Sequence, residues 1–236
     1  KLNSIIFNVK LNSNNLLEGL THIGEGAFSG TNIREISIPE TVTKLSKYVF
    51  RNCTNLQNVY ILKADKDKKP LILEEGLFEN CINLHKINFD GYFIEKIENN
   101  VFKNSGLSQL EITEGLIYVG DFAFAETALQ NMIIPKTVVY IGKKIFDQCD
   151  QLKKIILFNS KISANNILEG IHQLPEIEIG LGVKLISDYS FSGLNITEIY
   201  LPKTIEIIGE YAFSNCTNLK QVIFENESTL KTINKN

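Results

Sequence analysis

Apolar residues along this chain follow two nested periods. The shorter one is seen in segments of the form L-x-x-I-x-I, such as Leu56-Gln57-Asn58-Val59-Tyr60-Ile61 and Ile196-Thr197-Glu198-Ile199-Tyr200-Leu201. The last apolar residues of each segment alternate with polar ones, which predicts a short β-strand with one face buried. Pro39, Pro135 and Pro202 close three of these segments, where a missing N–H interrupts a hydrogen-bond ladder least. The longer period is marked by phenylalanine. Phe28, Phe50, Phe78, Phe102, Phe124, Phe146, Phe191 and Phe213 are separated by 22, 28, 24, 22, 22, 45 and 22 residues. The gap of 45 divides at Leu168 into 22 and 23. The gap of 28 contains the polar run Lys63 to Lys69, which reads as a loop inserted over residues 62–71.

Other positions keep step with the phenylalanines. An aliphatic stands five residues before each: Ile23, Leu45, Leu73, Ile97, Val119, Ile141, Ile186 and Ile208. Another follows five or six residues after, at Ile33, Leu56, Leu84, Leu107, Leu129, Leu152, Leu174, Ile196 and Leu219. A unit of 22–23 residues cannot bury its own apolar side, so the units must stack and share a continuous core. About nine coils at roughly 4.8 Å per strand give a parallel sheet on the order of 40 Å long. The phenylalanine rings then form a ladder opposite that sheet. A compact β-sandwich also has short, evenly spaced strands, but it does not require one residue type at one phase every 22 residues. The chain therefore reads as a single array over residues 1–236.

The segment Ile23-Gly24-Glu25-Gly26-Ala27-Phe28-Ser29-Gly30-Thr31-Asn32-Ile33-Arg34-Glu35-Ile36-Ser37-Ile38-Pro39 resembles the BspA-like leucine-rich-repeat family. Val119-Gly120-Asp121-Phe122-Ala123-Phe124 and the stretch from Ile208-Gly209-Glu210 to Asn215-Cys216-Thr217-Asn218-Leu219 resemble it too. The resemblance covers nearly the whole chain. It implies a right-handed, curved leucine-rich-repeat solenoid, with one parallel β-sheet of short strands and turns or irregular segments on the opposite side. It also implies a secreted or cell-surface protein that binds host matrix proteins, other cells or glycans, and it supplies no catalytic residues. The coil centred on Leu168 departs from the family pattern in lacking the phenylalanine, and no anchor module is seen. Leu2, Ile5 and Phe7 fit a strand without its preceding turn, and Leu230 and Ile233 begin a further coil. The array is thus expected to be cut within a repeat at both ends.

Charge changes the picture by exclusion. The net charge is −3 with both signs mixed along the length, so there is no basic footprint for nucleic acid and no polybasic segment for acidic lipid. No apolar run approaches the roughly 20 residues of a membrane-spanning helix.

Few residues invite chemistry. Cys53, Cys81, Cys149 and Cys216 each lie three residues after a phenylalanine, where other coils hold Thr31, Ser105 or Thr127. A position shared by Cys, Thr and Ser is a small, semi-buried turn site, which makes these structural thiols. Cys53 and Cys81 occupy neighbouring coils within disulfide reach, whereas Cys149 and Cys216 are three coils apart, on the order of 15 Å. No C-x-x-C or Cys/His cluster points to zinc. His22, His85 and His172 fall at different phases, so no nucleophile has a paired base. Gly24-Glu25-Gly26 and Gly180-Leu181-Gly182 do not continue into a phosphate-binding pattern. Asp65-Lys66-Asp67 lacks the glycine and terminal glutamate of a calcium loop. Asn52-Cys53-Thr54, Asn195-Ile196-Thr197, Asn215-Cys216-Thr217 and Asn226-Glu227-Ser228 match the glycosylation triplet, as Asn- and Thr-rich repeats do by chance. No cofactor and no metal is expected.

The remaining candidate is the outward face of the strands. One column reads Glu35, Asn58, Lys86, Gln109, Asn131, Lys154, Glu176, Glu198 and Gln221. Its neighbour reads Ser37, Tyr60, Asn88, Glu111, Ile133, Ile156, Glu178, Tyr200 and Ile223. Most are polar, as a solvated sheet requires. Ile133, Ile156 and Phe158 break that rule on adjacent coils, with Tyr60 and Tyr200 further out, and exposed apolar residues with aromatic anchors mark an interface. The inserted loop is a second candidate surface. Together with the resemblance, which implies a place at the cell surface or outside it and a host or neighbouring-cell protein or glycan as partner, these residues point to a non-catalytic protein that binds through its sheet. The other reading is an intracellular scaffold or sensor built on the same repeats.

Overall fold

In a computed structural model, residues 20–39, 41–61, 69–89, 92–112, 114–158 and 167–235 are described. They form a parallel-sheet solenoid of about eight turns with little helix. The alternating segments make the first ladder: β2 (Glu35–Ile38), β4 (Asn58–Ile61), β6 (Lys86–Asn88), β9 (Asn131–Ile134), β11 (Lys154–Leu157), β12 (Glu176–Ile179), β14 (Glu198–Leu201) and β16 (Gln221–Phe224). Every pairing is parallel and in register at the repeat phase, as in Ile38↔Ile61 and Ile156↔Ile133. The ladder is interrupted once, at the coil holding Leu107, which separates β2-β4-β6 from β9-β11-β12-β14-β16.

The side opposite is more regular than expected. The aliphatic five residues before each phenylalanine closes a second set of strands, β1 (His22–Ile23), β3 (Lys44–Leu45), β5 (Lys69–Leu73), β7 (Tyr92–Ile97), β8 (Tyr118–Val119), β10 (Tyr140–Ile141), β13 (Leu185–Ile186) and β15 (Ile207–Ile208), and Ile233 closes a further one, β17 (Thr232–Ile233). These also pair in parallel, in three separate sections, so a second, broken ladder runs among the turns on that side. Stacking at a constant phase brings equivalent backbones alongside one another, and two residues suffice for a rung. Of the expected inserted loop, residues 62–68 lie outside the described residues, while Lys69, Pro70 and Leu71 belong to β5 and pair with Tyr92, Phe93 and Ile94 of β7.

The phenylalanines fill the interior between the ladders. Phe50, Phe78, Phe102, Phe124 and Phe146 are fully buried. Rings from Phe28 to Phe146 stack in an unbroken column with centroids 5.4–5.7 Å apart, and Phe191 stacks on Phe213 at 5.4 Å. Each such pair contributes about 0.5–1.5 kcal/mol beyond its burial. Leu168 is buried in the slot between the two columns.

The phenylalanine turn has its own backbone logic. Residues two before and two after the ring adopt positive φ, as at Tyr48 and Asn52 around Phe50, Asn100 and Asn104 around Phe102, and Phe122 and Glu126 around Phe124. This aims alternate N–H groups at the next coil: Tyr48, Phe50 and Asn52 donate to the carbonyls of Glu75, Leu77 and Glu79 at 3.0, 3.1 and 2.8 Å. The left-handed region is costly for most side chains, and the inter-coil hydrogen bonds hold the turn there. Asparagine recurs at these positions because it tolerates that region best after glycine.

At the Cys/Thr/Ser position the four cysteines, Ser105 and Thr127 are buried, and Thr31 is half-buried as expected. The cysteines share one kind of acceptor. The Sγ atoms of Cys53, Cys81, Cys149 and Cys216 donate to the carbonyls of Phe28, Phe50, Phe124 and Phe191 in the preceding coil at 2.9–3.0 Å. All four thiols are free, so Cys53 and Cys81 are not bridged.

Candidate functional site

Strand alternation places Glu198 and Tyr200 outward on β14 while Ile199 and Leu201 are buried. Neighbouring strands repeat the arrangement, so the register sets the columns of the open face. Ile133 of β9 and Ile156 of β11 are direct partners. Ile156 then faces Glu178 of β12, Glu178 faces Tyr200 of β14, and Tyr200 faces Ile223 of β16. Ile133 and Tyr200 are exposed, at 46% and 52%. Ile156, expected to be exposed, is half-buried between Ile133 and the Glu178 side.

Phe158 lies just past the end of β11 and leans across the next coil. A Cβ on Gly180 would come within 2.3 Å of its ring, so the glycine is the seat of that ring and not part of a phosphate loop. Tyr60 stands apart on β4, between Ser37 and Asn88. The structure thus brings Ile133, Ile156 and Phe158 onto adjacent strands, sets Tyr200 two rungs further on, and leaves Tyr60 in the other section of the ladder.

A polar bridge separates the isoleucines from Tyr200. Lys154 Nζ lies 3.2 Å from Glu176 and 2.5 Å from Glu178. Hydrogen bonds to Glu178 and then Glu176 hold its ammonium above the ordinary lysine range.

Two hollows flank Tyr200 along the strand direction. One, of about 350 Å³, lies toward the strand C-termini between Tyr200, Leu181, Pro202 and Phe224, with Glu178 and Glu225 on its wall. The other, of about 390 Å³, lies toward the N-termini beside Leu174, Pro175 and Asn195, with Glu176 and Glu198 on its wall. Leu181 and Leu174 belong to this surface although the alternating pattern does not place them there. Leu181 is 64% exposed at a position where other coils carry Lys136 or Lys203. Leu174 was expected to point inward; it is 37% exposed, and Pro175 is buried in its place. The coil that lacks its phenylalanine shifts the inward position by one residue.

A model of the BspA type leucine rich repeat region, six copies, matches residues 3–89, 71–168 and 161–236. The chain belongs to the BspA-type leucine-rich repeat family. A solved leucine-rich repeat protein from Bacteroides ovatus is 27% identical over 92% of this chain, with a TM-score of 0.60. This BspA-type chain spans 60% of the length of that relative. A leucine rich cell surface protein from Faecalibacterium prausnitzii is similar at 19% identity over 90% of this chain and 86% of its own, with a TM-score of 0.27. The pneumococcal vaccine antigen PcpA is similar at 17% identity over 88% and 68% of the two chains, with a TM-score of 0.37. No curated protein matches the chain. Family and fold are those of repeat scaffolds, and in this BspA-type chain the open face around Tyr200 combines relief, exposed apolar groups and charge.

Proposed function

We propose that this chain is the non-catalytic recognition array of a cell-surface or secreted protein, and that it binds a protein or glycan of a host or neighbouring cell through the outer face of its first ladder. The contact is centred on Ile133, Ile156, Phe158 and Tyr200, with Tyr60 as a separate point. The observation that carries this reading is the exposure of Ile133 and Tyr200, three strands apart on one sheet whose other outward residues are mostly polar. Exposed apolar groups rimmed by polar ones are the usual mark of an interaction surface.

The thiols and histidines support a non-catalytic role. Burial pushes all four thiols up, away from the thiolate a nucleophile needs. His22, His85 and His172 contact Ser46, the Gly106 carbonyl and Asp150 on separate coils.

Two measurements test the reading. Protease treatment of intact cells releases repeat fragments from a surface protein and leaves an internal scaffold untouched. Combined Ile133→Ser and Tyr200→Ala substitutions, which leave the core in place, are expected to abolish adhesion of intact cells to the immobilised chain. Unchanged adhesion by a folded variant rejects this face as the contact.

A further inference from the structure

The hollows either side of Tyr200 share a charge pattern that narrows the class of partner. Each has two carboxylates on its wall, Glu178 and Glu225 in one and Glu176 and Glu198 in the other. No lysine, arginine or histidine lines either hollow. The carboxylates are held in place. Glu225 accepts the Lys203 backbone N–H at 3.0 Å, and Lys154 fastens Glu176 and Glu178 from the isoleucine side. The rest of the lining is largely apolar, with Leu174, Leu181, Pro202 and Ile223 contributing aliphatic surface. Apolar walls with carboxylates at the rim match a side chain that has an aliphatic stem and a cationic head. The ring that divides them adds a face for a cation.

We propose that these hollows receive two arginine or lysine side chains from an extended, basic segment of a partner protein, with the Tyr200 ring standing between them. This rests on the reading of the sheet as the contact face and names what it meets. The hollows follow one another along β14, the first lined by residues before Tyr200 and the second by Leu201 and Pro202 after it. Side chains on one face of an extended segment recur every second residue, about 6.6 Å apart. Glu198 on β14 and Pro202 just past its end, the outward residues on either side of Tyr200, are four residues apart, so basic side chains at alternate positions of such a segment can enter one hollow each and leave the Tyr200 ring between them. Like-charge repulsion excludes an acidic segment from the same surface.

The test uses the whole 236-residue chain and a short fluorescein-labelled peptide of alternating arginine and serine, with glutamate replacing arginine in a control peptide. Fluorescence anisotropy should show binding of the arginine peptide alone, weakening as salt is raised. Glu198→Gln with Glu225→Gln keeps the hydrogen-bond acceptors but removes two charges, and should weaken binding about tenfold with an unchanged melting temperature. Tyr200→Ala should weaken it by a similar factor. Equal affinity for both peptides, or for the wild type and the double glutamine variant, overturns the proposal. So does salt-insensitive binding of a neutral glycan that displaces the peptide. Cell adhesion measured in parallel separates the two levels. Adhesion lost with Ile133→Ser and Tyr200→Ala but kept by the glutamine pair sinks the charge argument alone. Adhesion kept by both sinks the contact face as well.

Discussion

At the Cys/Thr/Ser position, three residues after a phenylalanine, two carbonyls are within reach: that of the phenylalanine in the preceding coil and that of the residue's own phenylalanine. Cysteine reaches the former at 2.9–3.0 Å in four coils. Thr31 and Thr127 instead turn their hydroxyls to the carbonyls of their own Phe28 and Phe124, both at 2.8 Å. Ser105 does neither, and its buried Oγ has no hydrogen-bond partner among the described residues. A buried unsatisfied hydroxyl costs about 1–3 kcal/mol. Ser105→Cys, with its longer C–S bond aimed at the Phe78 carbonyl, should therefore stabilise the chain by about 1 kcal/mol in urea unfolding. A loss of stability would show that the site is too tight for sulfur. The same burial gives the thiols a pH signature. In the unfolded chain they ionise from about pH 8.5, whereas desolvation keeps them protonated in the fold, Cys81 most of all. The unfolded state then binds fewer protons, so stability is fully present below about pH 8.5 and falls as pH rises above it. Urea midpoints between pH 7 and 10 should show that fall, and Cys81→Ala should flatten it.

Among the elements, the ring column joins coil to coil through the interior. Phe102 sits mid-column, with centroids 5.6 Å from Phe78 and 5.7 Å from Phe124. Phe102→Ala should cost about 3–5 kcal/mol, read from the denaturant midpoint, and Phe102→Leu much less, since Leu168 already fills one such slot. An alanine cost no larger than that of an exposed substitution would remove the rings from the role of core. This column and the first ladder are legible in the sequence, because four-residue strands show alternation and phenylalanine marks the phase. The second ladder is not, since rungs such as Lys44–Leu45 are too short to alternate. Nor is the packing of Phe158 on Gly180, which joins side chains from different coils. Of the candidate site, the outward column was readable by counting residues. The half-burial of Ile156 depends on its neighbours, and Leu174 turns outward where Pro175 takes the buried place. Leu181 does carry a signal: an isolated leucine between glycines where other coils place lysine.

For the whole molecule, the consequence of stacking is that every coil rests only on its two neighbours. Strand pairs and ring pairs join consecutive coils, and the inter-coil backbone bonds of the phenylalanine turns do the same. Stability is then close to a sum of coil and interface contributions, as in other quasi-one-dimensional arrays. A defect should weaken its surroundings and leave distant coils protected. Phe102→Ala is therefore expected to raise amide hydrogen exchange in the coils of Phe78, Phe102 and Phe124, with little change at Ile199 and Leu201 on β14. The open face around Tyr200 would keep its shape in that variant, and binding there should survive a substitution that costs several kcal/mol elsewhere. The opposite result, a uniform rise in exchange over all coils together with loss of binding, would mean that the array opens as one cooperative unit. The contrast is measurable because Phe102 and Tyr200 lie on well-separated coils with no shared side-chain contact, so any effect at β14 has to travel through the intervening stack.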